Sequence, residues 1–365
     1  MRKLCLVVLV SCAVLFSGCN KIETPAADSG ISSELYFSTG GYNAKVSGDY
    51  LVLQEENLKI IDLKDKRLVK EINIPSYTLG YDIYGTKLVW SDLRNEKNQQ
   101  KDAGYDETTN ADIFMYDIEK DKTVQITTNE KTQISPKIWG NHIVWQDNRD
   151  DTTIDKNPEW DIYLYNIETK EEKAITTAPG IHTNPSISDS KVVWEDGRNF
   201  SGKPELRWGS NVPENNTDIF MYDIKTGKET PIAEEPLQEC NPTIYGNYIA
   251  WEDRNNGSYA ADIYLYDINK KERIKVTKDR YNQGDPKLFE NYLIWMDERR
   301  GGSSNDVFVN GKAPNSDIFL YNINEKKEYL MTGDGPQIMP SISSNYIAYI
   351  LSSQVRPEVQ VIKYR

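Results

Sequence analysis

The chain has 365 residues, with 56 Asp and Glu against 43 Lys and Arg and a formal net charge of −13, which argues against a nucleic-acid partner. Hydrophobic residues at 38% and aromatic residues at 11%, including 23 Tyr and 8 Trp, supply enough apolar surface for a core and exclude a disordered chain. A chain of this length ordinarily forms two domains, unless it is built from repeats.

At the N-terminus, Arg2 and Lys3 precede a 13-residue apolar stretch, Leu4 to Phe16, which has the size of a signal-peptide core and is too short for a mature spanning helix. The segment Leu15-Phe16-Ser17-Gly18-Cys19 resembles the lipobox of prokaryotic lipoproteins, with Phe16 where that family usually has Leu. The resemblance implies cleavage before Cys19 and lipid attachment to it. Residues 1–18 are then a lipoprotein signal peptide and residues 19–32 a polar tether carrying Pro25 and Gly30. Cys5 and Cys12 leave with the signal, so Cys240 is the one cysteine of the folded body and reads as a small buried hydrophobe.

From residue 84 onward one pattern recurs: Val-Trp or its equivalent, an acidic residue, often an Arg, a polar gap, then Asp-Ile-aromatic-aliphatic-Tyr. The Trp residues are Trp90, Trp145, Trp194, Trp251 and Trp295, and the Asp opening each following strand is Asp112, Asp161, Asp218, Asp262 or Asp317. From each of the first four Asp residues to the next Trp the separation is always 33 residues, whereas from each Trp to its own Asp it is 22, 16, 24, 11 and 22. A constant segment joined by variable ones is a fixed structural unit with one tolerant loop. Within it, Asp161-Ile-Tyr-Leu-Tyr alternates and is aromatic-rich, Glu168-Thr-Lys-Glu reads as a hairpin turn, and Ala174-Ile-Thr-Thr and Val192-Val-Trp194 read as further short strands.

Four antiparallel strands per unit predict a propeller blade. The same spacing reaches both ends of the chain. Pro136, Pro185, Pro242, Pro286 and Pro340 each lie nine residues before the Trp position, which Tyr349 fills in the last unit, and Ala44 holds the corresponding place before Leu53. The expectation is an all-β fold, a single seven-bladed β-propeller over residues 33–365, with blades near 42–75, 78–128, 134–177, 183–233, 240–277, 284–332 and 338–365. The last blade lacks one strand, and Ser33-Glu-Leu-Tyr-Phe-Ser38 is placed to supply it, closing the ring and removing an exposed edge.

Val-Trp-Gln-Asp-Asn-Arg at 144–149 with Asp161-Ile-Tyr-Leu-Tyr165, and Val-Trp-Glu-Asp-Gly-Arg at 193–198 with Asp218-Ile-Phe-Met-Tyr222, resemble the TolB-like and WD-repeat-like propeller repeats of exported prokaryotic proteins. The resemblance covers roughly residues 33–365. It implies the fold and leaves function open among protein binding, polysaccharide handling and peptidase accessory roles.

Three kinds of chemistry were weighed. Asp92, Asp147, Asp196, Asp253 and Asp297 end one strand and face the Asp that opens the next. Such carboxylate pairs repel unless something positive lies nearby, and Arg94, Arg149, Arg198 and Arg299, with Arg254 displaced by one, are placed to supply it. This reads chiefly as a structural lattice, with calcium as an alternative at Asp147, Asp150, Asp151 and Asp155, although that loop lacks EF-hand spacing. The long loops at 92–111, 147–160, 196–217 and 297–316 emerge on one face and carry Tyr105, Trp160, Trp208 and Phe308, candidates to stack on a sugar or grip a protein, with capping of the blade edges an equal alternative for Trp160 and Trp208. With only His142 and His182 and no carboxylate pair that stands out, no catalytic residue is assigned. The expectation is a non-catalytic binding or scaffolding lipoprotein outside the cytoplasm, held to the membrane by Cys19, with an envelope protein or surface glycan as partner and no certain cofactor. The alternative is a carbohydrate-active enzyme, a polysaccharide lyase or glycosidase, using loop-face carboxylates.

Overall fold

The computed structural model describes residues 31–75, 78–95, 110–151, 159–199, 216–236, 238–254, 260–300, 316–333, 335–352 and 356–364. These residues form seven four-stranded antiparallel sheets and no helix. The first blade holds β2 (Asn43–Ser47), β3 (Tyr50–Gln54), β4 (Leu58–Asp62) and β5 (Arg67–Ile72). The second holds β6 (Tyr81–Tyr84), β7 (Lys87–Asp92), β8 (Asp112–Asp117) and β9 (Lys122–Gln125), and the third β10 (Gln133–Trp139), β11 (His142–Asp147), β12 (Asp161–Asn166) and β13 (Glu172–Ala174). The fourth holds β14 (His182–Ser188), β15 (Lys191–Asp196), β16 (Asp218–Asp223) and β17 (Lys228–Ala233), and the fifth β18 (Glu239–Tyr245), β19 (Tyr248–Asp253), β20 (Asp262–Asp267) and β21 (Glu272–Lys275). The sixth holds β22 (Gln283–Phe289), β23 (Tyr292–Asp297), β24 (Asp317–Asn322) and β25 (Lys327–Leu330), and the seventh β26 (Gln337–Ile342), β27 (Tyr346–Leu351), β28 (Glu358–Tyr364) and, from the other end of the chain, β1 (Ser33–Gly40).

Strand β1 pairs antiparallel with β28 from Ser33 opposite Tyr364 to Gly40 opposite Glu358, with one register shift between Leu35 and Phe37. The seven first strands touch one another in sequence around the ring, including β26 against β2, so they line a central axis and the fourth strands lie outside. Ring closure is reinforced near that axis by Val46 N, which donates to Ser341 Oγ at 3.1 Å.

Seven apolar clusters hold the blades together, and each joins two neighbours. Trp145 and Tyr163 of the third blade, for example, bury against Val89, Ile113 and Met115 of the second. The five repeat Trp side chains are fully buried. At the usual scaling of buried apolar area, each contributes roughly 4–5 kcal/mol of transfer free energy before ordering costs. The regular recurrence of Trp in the sequence is therefore the signature of interblade packing.

Five first strands share a bulge. Ser135, Asn184, Asn241, Asp285 and Met339, each immediately before the repeat Pro, have φ between +49° and +55°, and the register of each strand shifts there. A bulge turns the chain locally and presents one N–H out of register. Asn184 N donates to Gln146 Oε1 at 3.0 Å, Asn241 N to Glu195 Oε1 at 2.6 Å and Asp285 N to Glu252 Oε1 at 2.8 Å, in every case reaching the preceding blade.

Candidate functional site

The loops expected to bear a binding face leave from the ends of the second strands and return at the starts of the third. At their base the paired acids stand directly opposite one another: Asp92 and Asp112, Asp147 and Asp161, Asp196 and Asp218, Asp253 and Asp262, Asp297 and Asp317. The first Asp of each pair is buried. Its carboxylate accepts the indole N–H of the Trp two residues earlier at 2.8 Å in four blades, through Trp90, Trp145, Trp194 and Trp295. The Arg two residues later completes the set, as where Arg198 Nη2 meets Asp196 Oδ2 at 2.6 Å and Arg299 Nη2 meets Asp297 Oδ2 at 2.6 Å. Each guanidinium also lies over the aromatic ring of the facing strand, 4.1 Å from Phe220 for Arg198 and 4.4 Å from Phe319 for Arg299, and that ring stacks on the Trp. Trp, Asp, Arg and aromatic ring thus form one repeated device, with the charges paired and the ring face used by the cation.

Burial works against the Asp196 charge, but the hydrogen bond from Arg198 and the neighbouring His182 outweigh it and hold the carboxyl below its ordinary value. The opposing acids behave otherwise: burial raises Asp112 and Asp218 despite the side-chain amides of Asn95 and Asn199, which donate at 2.8 and 2.7 Å. Thr127 and Thr176 donate to Asp112 and Asp161 at 3.1 and 2.7 Å while accepting the N–H of the following Ile, so the fourth strand also pins the pair. His182 is fully buried between Asp161 of its neighbour blade, 3.2 Å away, and Asp196 of its own, 3.5 Å away.

Three expectations are corrected here. Trp160 is not an exposed ligand platform: it is 7% exposed, and its carbonyl accepts His182 N at 2.8 Å, so it caps the blade edge. Arg254 does not substitute for the guanidinium of its sisters. The one-residue displacement sends it to Glu252 Oε2 at 3.4 Å, while Arg273 of β21 pairs with Asp253 and lies over Tyr264 at 4.3 Å. The described part of the calcium set, Asp147, Asp150 and Asp151, does not converge. Asp147 is committed to Trp145 and Arg149, and Asp150 accepts from the Tyr163 hydroxyl. Among the described residues no group of three or more His, Cys, Asp or Glu is placed to hold a metal ion. Asp155, Tyr105, Trp208, Phe308 and Cys19 lie outside the described residues. Cys240 is buried, and burial, with Glu252 and Glu195 nearby, pushes its thiol well up, as expected of an inert side chain.

The axial channel was not anticipated. Each first strand puts the residue after its repeat Pro, Ala or Tyr at one common register position, opposite the residue before the Trp position: Lys45, Asp82, Lys137, Ser186, Thr243, Lys287 and Ser341. Two residues further on, Tyr84 meets Trp139 at a tilt with ring centroids 4.6 Å apart, Trp139 meets Tyr245 edge-on at 5.2 Å, and Tyr245 meets Phe289 at 4.9 Å. Trp139 and Tyr245 belong to the third and fifth blades, so this aromatic chain bypasses the small Ser188 and runs across the hairpin end of the channel. Towards the loop end, the buried Glu195 and Glu252 accept the amides of Asn184 and Asn241 at 2.8 and 2.7 Å as well as the bulge N–H groups. Burial pushes Glu195 up, against the donors Asn241 N, Asn184 and Thr183. The signal for this layer was in the repeat alignment: once the Pro positions are superposed, the next residue is the channel ring.

No family model matches the chain, and no curated protein matches it. Among solved structures it is similar to the β-propeller domain of the Trilobed protease from Pyrococcus furiosus, with an open velcro topology, at a TM-score of 0.59 and 12% identity, covering 90% of this chain and 96% of that one. It is also similar to Pyrococcus horikoshii acylaminoacyl peptidase, at a TM-score of 0.58 and 12% identity over 90% of this chain and 52% of that one. TolB from Agrobacterium tumefaciens is another neighbour, at a TM-score of 0.49 and 13% identity over 82% and 93% of the two chains. At these identities the likeness is one of fold. The chain is a seven-bladed β-propeller, with TolB proteins and peptidase propellers among its structural neighbours.

Proposed function

We propose that the protein is a membrane-anchored propeller outside the cytoplasm, acting as a non-catalytic binding or scaffolding module for an envelope protein or a surface glycan. The observation that carries this reading is the division of labour in the repeat. A frame of constant length holds connections in which Trp and Asp stand 22, 16, 24, 11 and 22 positions apart, all rooted at one edge of the blades. Variation concentrated at one face of a rigid ring is the arrangement of a recognition surface. The non-catalytic part is supported by the base of those loops, where recurrent carboxylates are committed to indole, guanidinium and hydroxyl donors. Anchoring through Cys19 rests on the lipobox-like sequence.

The test shortens the loops at 199–216 and 300–316 to the length of the one at 254–261. The shortened protein and the parent are compared for retention on isolated envelope polysaccharide and for crosslinking in cells. Loss of retention or of a defined crosslink at unchanged melting temperature supports the reading; both unchanged refutes it. Incubation with the same polysaccharides, followed by assay for new reducing or unsaturated ends, tests the rival carbohydrate-active reading, since product formation abolished by a loop-face carboxylate change overturns the non-catalytic one. Cys19→Ala should move the protein from the membrane to the soluble fraction.

A further inference from the structure

The channel ring carries an unbalanced charge. Lys45, Lys137 and Lys287 come from the first, third and sixth blades, and Asp82 of the ring and Asp285 of the adjoining bulge from the second and sixth, which leaves one positive charge in excess at this level, with the buried Glu195 and Glu252 lying towards the loop end. Asp285 is consumed by its own neighbour, pairing with Lys287, and Asp82 Oδ2 accepts Ile138 N at 3.0 Å. Lys45 and Lys137 make no hydrogen bond or ion pair among the described residues, although both are half-buried. Burial, then the ammonium groups of Lys287 and Lys137, bring Lys45 down to about 8 against the carboxylates of Asp285 and Asp82, and burial lowers Lys137 as well, with Asp82 opposing it and Lys287 adding to it. The three lysines share one register position, opposite Val52, Val144 and Ile294, on first strands that line the axis.

Two hydroxyls complete the surroundings. Ser341 Oγ, in the blade beside Lys45, accepts Val46 N, and Ser186 Oγ, in the blade beside Lys137, accepts Ile244 N at 3.3 Å. Each oxygen is thereby oriented by a backbone donor, and neither O–H has an acceptor among the described residues. Half-buried ammonium groups and unspent hydroxyl donors around one enclosed axis are the donor set for an oxyanion, and an ammonium taken partly out of water gains most from such a partner. The aromatic chain across the hairpin end directs access to the loop end.

We propose that the axial channel is an anion-binding site, in which Lys45 and Lys137, with the hydroxyls of Ser186 and Ser341, hold a phosphate or carboxylate group. This goes beyond the loop-face reading and does not depend on it. The test uses residues 19–365 with inorganic phosphate and, separately, acetate, each compared with sodium chloride at equal ionic strength, followed by thermal melting and calorimetric titration. The expected result is a rise in melting temperature specific to at least one oxyanion, which also identifies the group. Lys137→Met should weaken that binding about tenfold, Lys45→Met with Lys137→Met should abolish it, and Asp82→Asn should tighten it. Because neither lysine makes a hydrogen bond or ion pair among the described residues, and Asp82 keeps the Ile138 N–H as donor, the double variant should melt close to the parent without anion, so loss of binding is separable from loss of fold. Equal melting in chloride and both oxyanions overturns the proposal, as does oxyanion binding that survives in the double variant.

Discussion

Arg273 lies over the indole of Trp251 at 5.2 Å although it belongs to the outermost strand of its blade, while in four sister blades the corresponding guanidinium comes from the loop two residues after the Asp. The fifth blade, whose loop is the shortest, reaches the same packing from the opposite side. Arg273→Ala leaves the buried Asp253 carboxylate without that guanidinium and strips the Tyr264 ring of its cover, so a cost of about 3 kcal/mol is expected in urea unfolding. Arg273→Lys should recover little of it, because a point charge does not reproduce a planar fork lying on a ring. A loss below about 0.5 kcal/mol in the Ala variant would show that the replacement is incidental.

The exchange has a cost that can be read at the indole. Trp194 Nε1 donates to Asp196 at 2.8 Å, whereas Trp251 Nε1, equally buried, has no hydrogen-bond partner among the described residues. Trp194→Phe should therefore destabilise by about 2 kcal/mol more than Trp251→Phe, the worth of a hydrogen bond to a charged acceptor. Equal losses would mean that the indole bond is energetically silent.

Glu195 supplies a pH signature. Its folded-state pKa is raised above 4.5, chiefly by burial, so the folded chain holds that proton more tightly than the unfolded chain. The contribution to stability is full below pH 4.5 and is lost as pH rises through the folded value. Glu195→Gln keeps an acceptor for Asn184 and Asn241 without the charge, and the preceding blade already uses Gln146 at this position. The variant should match the parent at pH 4, gain on it as pH rises through the folded value and hold a constant advantage above that, in denaturant titrations. A constant difference across that range would remove Glu195 as the source.

Strand β1 is a removable closure. It buries Tyr36 and Phe37 against the cluster shared by the first and seventh blades and covers the free edge of β28. Deleting residues 33–40 should lower stability by several kcal/mol and promote self-association through the uncovered strand, read by melting and light scattering. Unchanged melting would show that three strands suffice for the last blade.

The seven-blade count and the closing strand were legible because strand alternation, Asp-Ile-aromatic openings and an invariant spacing of 33 residues repeat a single packing problem. The pairing of Asp with Arg was legible for the same reason. Sequence leaves Trp160 open between ligand face and blade edge because it lies in a segment of variable length, with no neighbour to pack against in the pattern; in the structure its carbonyl accepts His182 N of the next blade. Arg273 was invisible because its partner is 20 residues away across a sheet. The channel ring changes residue type from blade to blade, and periodic reading rewards only what stays constant.

The first and seventh blades differ from the other five in having Leu53 and Tyr349 at the Trp position and no Asp-Arg set above them. In a closed ring, small angular errors at each interface accumulate, and the last junction must accept their sum. Here that junction is lined by Ala44, Leu51, Leu53, Ala348 and Val359, and it is also crossed by bonds from Val46 N to Ser341 Oγ, from Ser343 Oγ to the Gly48 carbonyl and from the Tyr36 hydroxyl to the Leu63 carbonyl. The least regular part of the repeat is thus the seam of the ring, where aliphatic packing and bonds between the two ends of the chain stand in for the Trp, Asp and Arg device of the other blades.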